Sequence, residues 1–563
     1  MSARQLGIRT SLSRTLGTTG LLIVTAVASV WSQTALGVGR NQVARSTDGV
    51  VVAAHPLAAQ AGARILEQGG NAADAAVAAA FAVSVVRPSM NSMGGRNQIL
   101  VRTPDGTVFG IDGTTQVPEG YDPATAPQAS YGYATIGVPG ALAGLMRLYE
   151  EHGSLPLETV MAPAIEYAEN GFRLLPGQAM FHAMSARQLA ESEGASMYYL
   201  KPDGSPYRAG ELLRQPDLAQ TLRTVSRGRA EVFYRGEIAD AIVADMEAND
   251  GFVNRQSLAD YRAEDARIVR GSYRGYDLIG MDVPSTGALA IQSLQIMENF
   301  DRGEFTAEEW AVLTARAIGL TVVEFLRLGT DTAAIRATSK EWAAQQAEQI
   351  ETAESNPPAG ESEIRSILGH DNGYTTHVSV ADSSGMVVSL TQTIGPAMGS
   401  KVVTPGLGFL YATTLGGYLG GEMVPGTRAR SFITPLIVLE DGEPMLVLGA
   451  AGGMRILSAV VQAVTRVVDD DLNFAEALAA PRVHPTFDST FTLTGVAMET
   501  VPGRGWTAAQ VKLVEDMGLR VSSSERPGSF GRIHGIRRDP VLGVWIAVAD
   551  PGGEGSAVAS RGN

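Results

Sequence analysis

The stretch Thr375–Thr393, TTHVSVADSSGMVVSLTQT, predicts a β-hairpin around which the fold is built. Thr375–Asp382 alternates in polarity and Met386–Thr393 returns, while Ser383–Gly385 forms a three-residue turn with glycine in the left-handed position. Directly opposed side chains have Cβ atoms about 5 Å apart, so a second hydroxyl is predicted beside Thr375. The apolar face pairs Val378 with Leu390 and Val380 with Val388, and the polar face pairs His377 with Thr391, Ser379 with Ser389 and Thr375 with Thr393.

Thr375 has two interpretations at this point. A threonine in mid-chain is a poor nucleophile, but cutting the peptide bond before it frees an α-amino group that can act as its base. A threonine-rich hairpin with one polar face is also typical of an ordinary sheet that faces solvent on one side, and the hairpin alone favours this second interpretation. The upstream run Asn356–Glu361, NPPAGE, suits either a place where new chain ends separate or an ordinary surface loop.

Composition excludes several classes of protein. The 563 residues are 45% apolar and 18% charged, which indicates a globular chain. A net charge of −15 argues against a nucleic-acid partner, which would require a basic surface. The absence of cysteine excludes disulfides, cysteine nucleophiles, thiolate zinc sites and iron–sulfur clusters. The seven histidines show no paired spacing, so neither a metal nor another cofactor is predicted.

Residues 1–37 are predicted to be an export segment. Arg4, Arg9 and Arg14 precede the apolar stretch Gly20–Val30, and small residues follow it. The apolar stretch is shorter than the about 20 residues that a membrane span needs. The predicted location is therefore periplasmic or extracellular, and an uncleaved N-terminal segment is the alternative and the one predicted membrane contact.

A glycine-rich turn, Gly449–Gly453, is predicted between the strand Pro444–Leu448 and the helix Ile456–Val468. Such a turn presents backbone N–H groups at a helix N-terminus, where they could bind an anion or a developing oxyanion. It is not a P-loop, because no Gly-Lys-Ser/Thr follows. Glycine pairs at strand-to-helix turns also occur for steric reasons alone, so both interpretations stay open.

Several stretches together resemble the γ-glutamyltranspeptidase family of N-terminal nucleophile (Ntn) hydrolases over nearly the whole chain after residue 50. They are HPLAAQAGARILEQGGNAADAAVA (His55–Ala78), GVPGALAGL (Gly137–Leu145), MAPAIEYAENGF (Met161–Phe172), VPSTGALAIQSL (Val283–Leu294), TTHVSVAD (Thr375–Asp382) and AAPRVHPTF (Ala479–Phe487). The resemblance implies an α/β fold, a four-layer αββα sandwich. It also implies a proenzyme that cuts itself between Tyr374 and Thr375 into a large subunit (38–374) and a small catalytic subunit (375–563) that stay intertwined.

The same resemblance implies roles for individual residues. Thr375 would be the nucleophile, with its own amino group as the base, and Thr393 would supply a second, supporting hydroxyl. Gly452 and Gly453 match the glycines of the family's oxyanion hole. The implied reaction is attack on an amide, formation of an acyl-enzyme, and transfer of the acyl group to water or an amine.

The sequence departs from the family where a γ-glutamyl group would be read. Thr114 stands where the family has an arginine for the α-carboxylate, which removes a strong charge-assisted contact. Gly395 replaces the family's asparagine or glutamate, and Ala412–Tyr418 lacks the carboxylate that holds the α-amine. Ser431-Phe432 replaces a pair of serines, and Arg96 interrupts a glycine run. The segment before Ser431 is short, which predicts that the lid is missing.

These departures predict an amide or peptide-like small-molecule substrate with an acyl group other than γ-glutamyl. Arg96 would anchor a differently placed carboxylate, or be a surface or ion-paired arginine. Phe432 would line an apolar acyl pocket, or simply pack. A true γ-glutamyl transferase or glutathione hydrolase is the first alternative, and a non-catalytic member of the family is the second.

Overall fold

The computed structural model describes residues 42–328, 339–351, 374–416, 423–488 and 492–561, with Tyr374 and Thr375 still joined. The predictions for residues 1–37, for the linker 356–361 and for Gly417 and Tyr418 lie outside these residues. Within them, no helix is both long and apolar enough to cross a membrane.

The strands follow the predicted alternation and turns. The strands Arg96–Arg102 and Val108–Gly113 lie on either side of the turn Pro104–Gly106. The strands are β1 (Val43–Ser46), β2 (Gly49–Ala53), β3 (Arg96–Arg102), β4 (Val108–Gly113), β5 (Phe172–Arg173), β6 (Leu212–Leu213), β7 (Glu264–Asp265), β8 (Ile268–Tyr273), β9 (Tyr276–Met281), β10 (Tyr374–Asp382), β11 (Val387–Gly395), β12 (Leu436–Glu440), β13 (Glu443–Ala451), β14 (Val483–Phe487), β15 (Leu493–Glu499), β16 (Arg520–Ser524), β17 (Arg532–Arg538), β18 (Trp545–Ala549) and β19 (Ser556–Ala559).

The helices begin where local capping chemistry favours them. Pro56 opens the first helix, and Asn71 and Asp74 form a reciprocal capping box at the second. The helices are α1 (Pro56–Glu67), α2 (Ala72–Val86), α3 (Ala141–His152), α4 (Leu157–Asn170), α5 (Pro176–Leu189), α6 (Glu193–Tyr199), α7 (Pro216–Tyr234), α8 (Glu237–Ala248), α9 (Arg255–Asp260), α10 (Gly287–Met297), α11 (Ala307–Leu328), α12 (Lys340–Glu351), α13 (Arg455–Val468), α14 (Phe474–Ala479) and α15 (Ala508–Asp516).

Two seven-stranded sheets form the centre of the molecule. The first has the order β1-β18-β17-β13-β12-β9-β8, and the second has the order β19-β2-β10-β11-β3-β4-β7. β10 and β11 of the second sheet pack face to face on β13 and β17 of the first. Apolar side chains such as Val50, Leu100, Ile437 and Val447 fill the space between the sheets.

Helices cover the outer face of each sheet. α1 and α2 pack on the second sheet through β2, β10 and β11, and all fifteen residues of the alanine-rich α2 are buried. α10 and α13 pack on the first sheet through β8, β9 and β13. The layers are therefore helix, sheet, sheet and helix, which confirms the predicted αββα sandwich.

Candidate active site

The hairpin β10–β11 lies in the middle of the second sheet with most of the predicted register. His377 pairs with Thr391, Val378 with Leu390, and Ser379 with Ser389. The predicted direct pairing of Thr375 with Thr393 is wrong in detail, because Tyr374 pairs with Gly395 and Thr376 with Gln392. Thr375 is thus opposed by two residues, Thr393 and Ile394, at an irregularity of the ladder. The irregularity ends at Gly395, whose φ of 87° is a left-handed conformation that glycine adopts readily.

Thr393 is bonded to the peptide unit that precedes Thr375. Its Oγ1 donates a hydrogen bond to the carbonyl oxygen of Tyr374 at 2.5 Å and accepts one from the N–H of Gly395 at 3.0 Å. Thr375 and Thr393 are only 5% and 2% exposed. The irregular strand end therefore brings the second hydroxyl to the carbonyl group of the predicted cleavage site.

The polar face of the hairpin is buried between the two sheets. Nδ1 of His377 lies 2.7 Å from the hydroxyl of Thr391, and Nε2 lies 2.9 Å from that of Ser379. Ser379 and Ser389 donate to carbonyl oxygens of the facing sheet, those of His534 and Leu448, at 3.0 Å each. The solvent-facing alternative for the hairpin is therefore wrong: its hydroxyl groups join the sheets.

His377 is neutral in this environment. Burial, with a smaller contribution from His534, holds the pKa of His377 well below its ordinary value. Both ring nitrogens lie within hydrogen-bonding distance of hydroxyl groups. The neutral His377 ring therefore joins the two strands of the hairpin, through Ser379 on β10 and Thr391 on β11.

The glycine-rich turn is shorter than predicted. β13 continues to Ala451, so Gly449 is a strand residue and not part of the turn. Gly449 lies against the ring of His377. A Cβ atom on Gly449 would come within 2.4 Å of Cε1 of that ring, so this glycine is required by close packing. The turn itself begins at Gly452, with φ of 152°, and Gly453, with φ of 60°.

Gly452 and Gly453 lie at the end of β13 that approaches Tyr374. Their carbonyl groups accept hydrogen bonds from the N–H groups of Arg455 and Ile456 at 3.2 and 3.1 Å, which joins the turn to α13. Arg532 pairs with Ala451, the residue before Gly452, and its Nη2 lies 3.8 Å from the sulfur of Met90, a member of the apolar cluster against which Tyr374 packs. The contacts bring this turn toward the same end of the hairpin as Thr375.

Arg96 lies in β3, directly opposite Thr393. It is 2% exposed, and its Nη1 lies 3.5 Å from the carbonyl oxygen of Thr413. The preceding Gly95 is required by close packing, because a Cβ there would lie 2.6 Å from the carbonyl oxygen of Thr393. The interpretation of Arg96 as a surface arginine in a loop is wrong, because Arg96 is a buried strand residue that pairs with Thr393.

Thr114 is held in a buried polar network at the edge of β4. Nε2 of Gln98 donates to the Thr114 hydroxyl and to Asp112, each at 2.7 Å, and the Thr114 N–H donates to Asp112 at 2.8 Å. Burial raises the pKa of Asp112, and the nearby Arg428 opposes that shift. Thr114 therefore has an ordinary structural environment at the place where the family resemblance expects an arginine.

Sequence reasoning missed Arg428. Its guanidinium donates to the carbonyl oxygen of Asp112 at 3.0 Å and to the hydroxyl of Tyr261 at 3.2 Å, and pairs with Glu264 at 3.0 Å. Arg428 thus supplies positive charge beside Asp112 from a segment distant in sequence. The run Thr-Arg-Ala-Arg before Ser431 was the available signal, although spacing alone could not connect it with Asp112.

Ser431 and Phe432 lie on the first sheet's side of the molecule. The Ser431 N–H donates to the carbonyl oxygen of Pro284 at 2.9 Å. Phe432 is 7% exposed and belongs to the hydrophobic cluster that includes Met454 and Ile456. Packing accounts for the burial of Phe432, so its contact with an acyl group stays a prediction.

No cluster of three or more histidine, aspartate or glutamate side chains in the described ranges could hold a metal ion. The site instead consists of hydroxyl groups, backbone amides and arginines. A four-layer αββα sandwich with a buried threonine at the start of a central strand defines the class of Ntn hydrolases.

Comparison with known proteins identifies the family. The sequence profile named Gamma-glutamyltranspeptidase matches residues 58–560. The chain belongs to this family, whose members are amide hydrolases and transferases. The glutathione hydrolase proenzyme of Escherichia coli K12 is 30% identical, over 86% of this chain and 88% of that protein.

Two acylases are also similar to the chain. The acylase ACY 1 proenzyme of Pseudomonas sp. strain SE83 is 33% identical, over 78% of this chain and 83% of that protein. The crystal structure of cephalosporin acylase from Bacillus halodurans superposes with a TM-score of 0.83 at 27% identity. That superposition covers 93% of this chain and 98% of the acylase.

Proposed function

We propose that the chain cuts itself between Tyr374 and Thr375, and that Thr375 then acts as the nucleophile of an amide hydrolase or acyltransferase whose acyl group is not γ-glutamyl. One observation carries the first part of this proposal. The Thr393 hydroxyl donates to the carbonyl oxygen of Tyr374, so a hydrogen-bond donor already polarises the bond to be cut. The products are a large subunit, 38–374, and a small subunit, 375–563.

The mature enzyme uses the same groups on its substrate. The freed amino group of Thr375 accepts the hydroxyl proton as Oγ1 attacks the amide carbon. Backbone N–H groups at Gly452 and Gly453 stabilise the oxyanion, and the proton passes to the leaving amine. Water or a second amine then takes the acyl group from the ester on Thr375.

The substrate preference rests on the residues around this centre. Thr114 replaces the arginine expected for a γ-glutamyl carboxylate, and its hydroxyl is bonded to Gln98. Arg96, buried opposite Thr393, offers positive charge in a different place. The similarity to two proteins named acylases supports acyl groups other than γ-glutamyl.

Gamma-glutamyl transfer, including glutathione hydrolysis, is the second candidate. The similarity to the Escherichia coli protein named glutathione hydrolase favours this second candidate, because the match covers 86% of the present chain. An enzyme of this kind would hydrolyse γ-glutamyl-p-nitroanilide with a kcat of about 1–10³ per second.

A gel and a substrate panel test the proposal together. The purified wild type should give two bands, Thr375→Ala should give one full-length band, and Thr375→Ser should mature slowly, because it keeps a hydroxyl nucleophile. The matured enzyme should hydrolyse simple acyl anilides in preference to γ-glutamyl-p-nitroanilide. A wild-type chain that stays single contradicts catalysis by a free Thr375 amine and supports a non-catalytic member. Fast turnover of the γ-glutamyl compound contradicts the altered acyl group.

We also infer that residues 1–37 direct export to the periplasm or the medium. The three arginines, the apolar stretch and the small residues that follow it support this. Fractionation of cells that make the full chain or a form without residues 1–37 tests it: only the full chain should leave the cytoplasm.

A further inference from the structure

The side chain of Tyr374, the residue before the predicted cut, is held in a pocket formed by aromatic and apolar side chains. Its ring meets Phe181 of α5 edge to face, with centroids 5.0 Å apart and an interplanar angle of 83°. Tyr374 also packs against the small apolar cluster that Phe181 forms with Met90 and Ala397. The pocket walls therefore come from both predicted subunits.

One wall of this pocket carries arginines together with a carboxylate, since Arg87 lies 3.7 Å from Glu554. The sulfur of Met90 accepts hydrogen bonds from Nε of Arg87 at 3.3 Å and from Nη2 of Arg532 at 3.8 Å. Burial raises the pKa of Tyr374, whereas Arg526 and Arg532 lower it. Burial has the larger effect, so the pocket holds Tyr374 in its neutral form beyond an aromatic and apolar entrance.

Self-cutting links this pocket to catalysis. Thr375 Oγ1 attacks the carbonyl carbon of Tyr374, the C–N bond breaks, and the hydroxyl proton goes to the new amino group of Thr375. The product is an ester between the Tyr374 carbonyl and Thr375 Oγ1. Water then cleaves that ester and releases the Tyr374 carboxylic acid. The ester is chemically an acyl-enzyme, and its acyl side chain is that of Tyr374.

We propose that the pocket occupied by Tyr374 in the precursor is the acyl pocket of the mature enzyme, and that it selects a bulky, uncharged aromatic acyl group. This inference rests on the proposed function, because it requires an acyl-enzyme on Thr375. Cutting frees Tyr374 from β10, so the pocket can be vacated. Phe181 then contacts the aromatic ring of the substrate.

Acyl p-nitroanilides provide a direct test on the matured enzyme. The series contains acetyl, 3-phenylpropanoyl, 3-(4-carboxyphenyl)propanoyl and γ-glutamyl groups. The 3-phenylpropanoyl compound should have the highest kcat/KM. The values for the acetyl and carboxyphenyl compounds should be at least about tenfold lower, since an apolar pocket discriminates by about that factor for a missing group and disfavours a buried charge.

Two variants locate the preference in this pocket. Phe181→Leu should lower kcat/KM for the 3-phenylpropanoyl compound about tenfold relative to that for the acetyl compound. Met184→Leu is the matched control, because Met184 lies on the same helix and is 62% exposed.

The precursor gives an independent measurement. Tyr374→Phe and Tyr374→Gly change the acyl group of the self-cutting ester, and their rates should follow the substrate preference, with Tyr374→Gly slowest. An enzyme that matures, yet prefers acetyl or loses activity equally on all four substrates in Phe181→Leu, overturns the pocket inference alone and indicates that Tyr374 stays in place as a plug. A chain that never matures overturns the proposed function, and this inference with it.

Discussion

At the residue scale, Thr393 makes two hydrogen bonds that serine could keep and valine could not. We expect Thr393→Val to mature about 10²-fold more slowly than the wild type, the usual cost of losing one donor to a developing oxyanion. The rate is measured by the loss of the full-length band with time after purification or dilution from denaturant.

Thr393→Ser is the control for this substitution. It retains the donor to the Tyr374 carbonyl group and the acceptor for the Gly395 N–H, so it should mature within a few-fold of the wild-type rate. Equal rates for the valine variant and the wild type would show that the hydrogen bond seen in the precursor does not assist cutting.

His484 gives a residue-scale prediction about pH. Burial, followed by Arg455, lowers the pKa of His484 to about 3, while the side chain bonds to Ser458 at 2.7 Å. Below a pH of about 6.5, His484 binds a proton in the unfolded chain but stays neutral in the folded chain. The free energy of unfolding therefore falls as pH falls. At pH 5 this one residue should lower the free energy of unfolding by about 2 kcal/mol.

His484→Gln should therefore flatten the fall in unfolding midpoint between pH 7 and pH 5. Denaturant titrations on the uncut Thr375→Ala chain measure it. His152→Gln is the comparison, because that ring is 24% exposed and should change the slope less. Parallel curves for the wild type and His484→Gln would contradict the prediction.

At the scale of elements, the contact between the two sheets depends on Gly449 of β13. Gly449→Ala would place a methyl group 2.4 Å from the His377 ring, which is fixed by Thr391 and Ser379. We expect a loss of about 1–3 kcal/mol in the free energy of unfolding, as for other overpacked cores. Slower maturation should accompany it, since the hairpin that carries Thr375 must shift.

Gly303→Ala is the matched control for Gly449→Ala. Gly303 is exposed, and the nearest atom to a Cβ there is a carboxylate oxygen of Asp301 at 3.4 Å. Denaturant midpoints of both variants in the uncut Thr375→Ala background make the comparison. If Gly449→Ala is as stable as Gly303→Ala, the sheets do not rely on this close approach.

The hairpin also shows how far the sequence could predict the site. Alternation and the turn at Gly385 were sufficient for the register from His377 to Val380, because both are local properties. The irregularity at Thr375 was not predictable, since it depends on the left-handed conformation of Gly395.

Burial of the polar face and the position of Arg96 were beyond local reasoning for a different reason. Ser379 and Ser389 donate hydrogen bonds to carbonyl oxygens on β17 and β13. Arg96 pairs with Thr393, which lies about 300 residues away in the sequence. The four-layer fold was predictable only through the family resemblance, because periodicity cannot order fourteen strands into two sheets.

At the scale of the whole molecule, the predicted subunits interleave within both sheets. β2 of the large subunit lies between β19 and β10 of the small one, and β11 pairs with β3. In the first sheet β1 pairs with β18, and β9 with β12. The backbone hydrogen bonds of these ladders are independent of the bond between Tyr374 and Thr375.

We therefore expect the cut subunits to stay together. They should elute as one species in size-exclusion chromatography at neutral pH, and separate only when denaturant unfolds both. The uncut Thr375→Ala chain, which should elute at the same volume, is the reference. Separation of the subunits in native buffer would contradict the interleaved sheets.

The two ends of the described chain meet far from Thr375. The Ser46 hydroxyl donates to the carbonyl oxygen of Ser560 at 3.2 Å, and the Ser560 N–H donates to that of Gly49 at 2.9 Å. Gly49 pairs with Asp382, at the turn end of β10, whereas Thr375 lies at its opposite end. A donor dye near residue 46 and an acceptor dye near residue 560 would thus sit on different subunits within efficient energy-transfer distance. Their fluorescence would report dissociation of the mature enzyme in real time, from labels placed away from the catalytic groups.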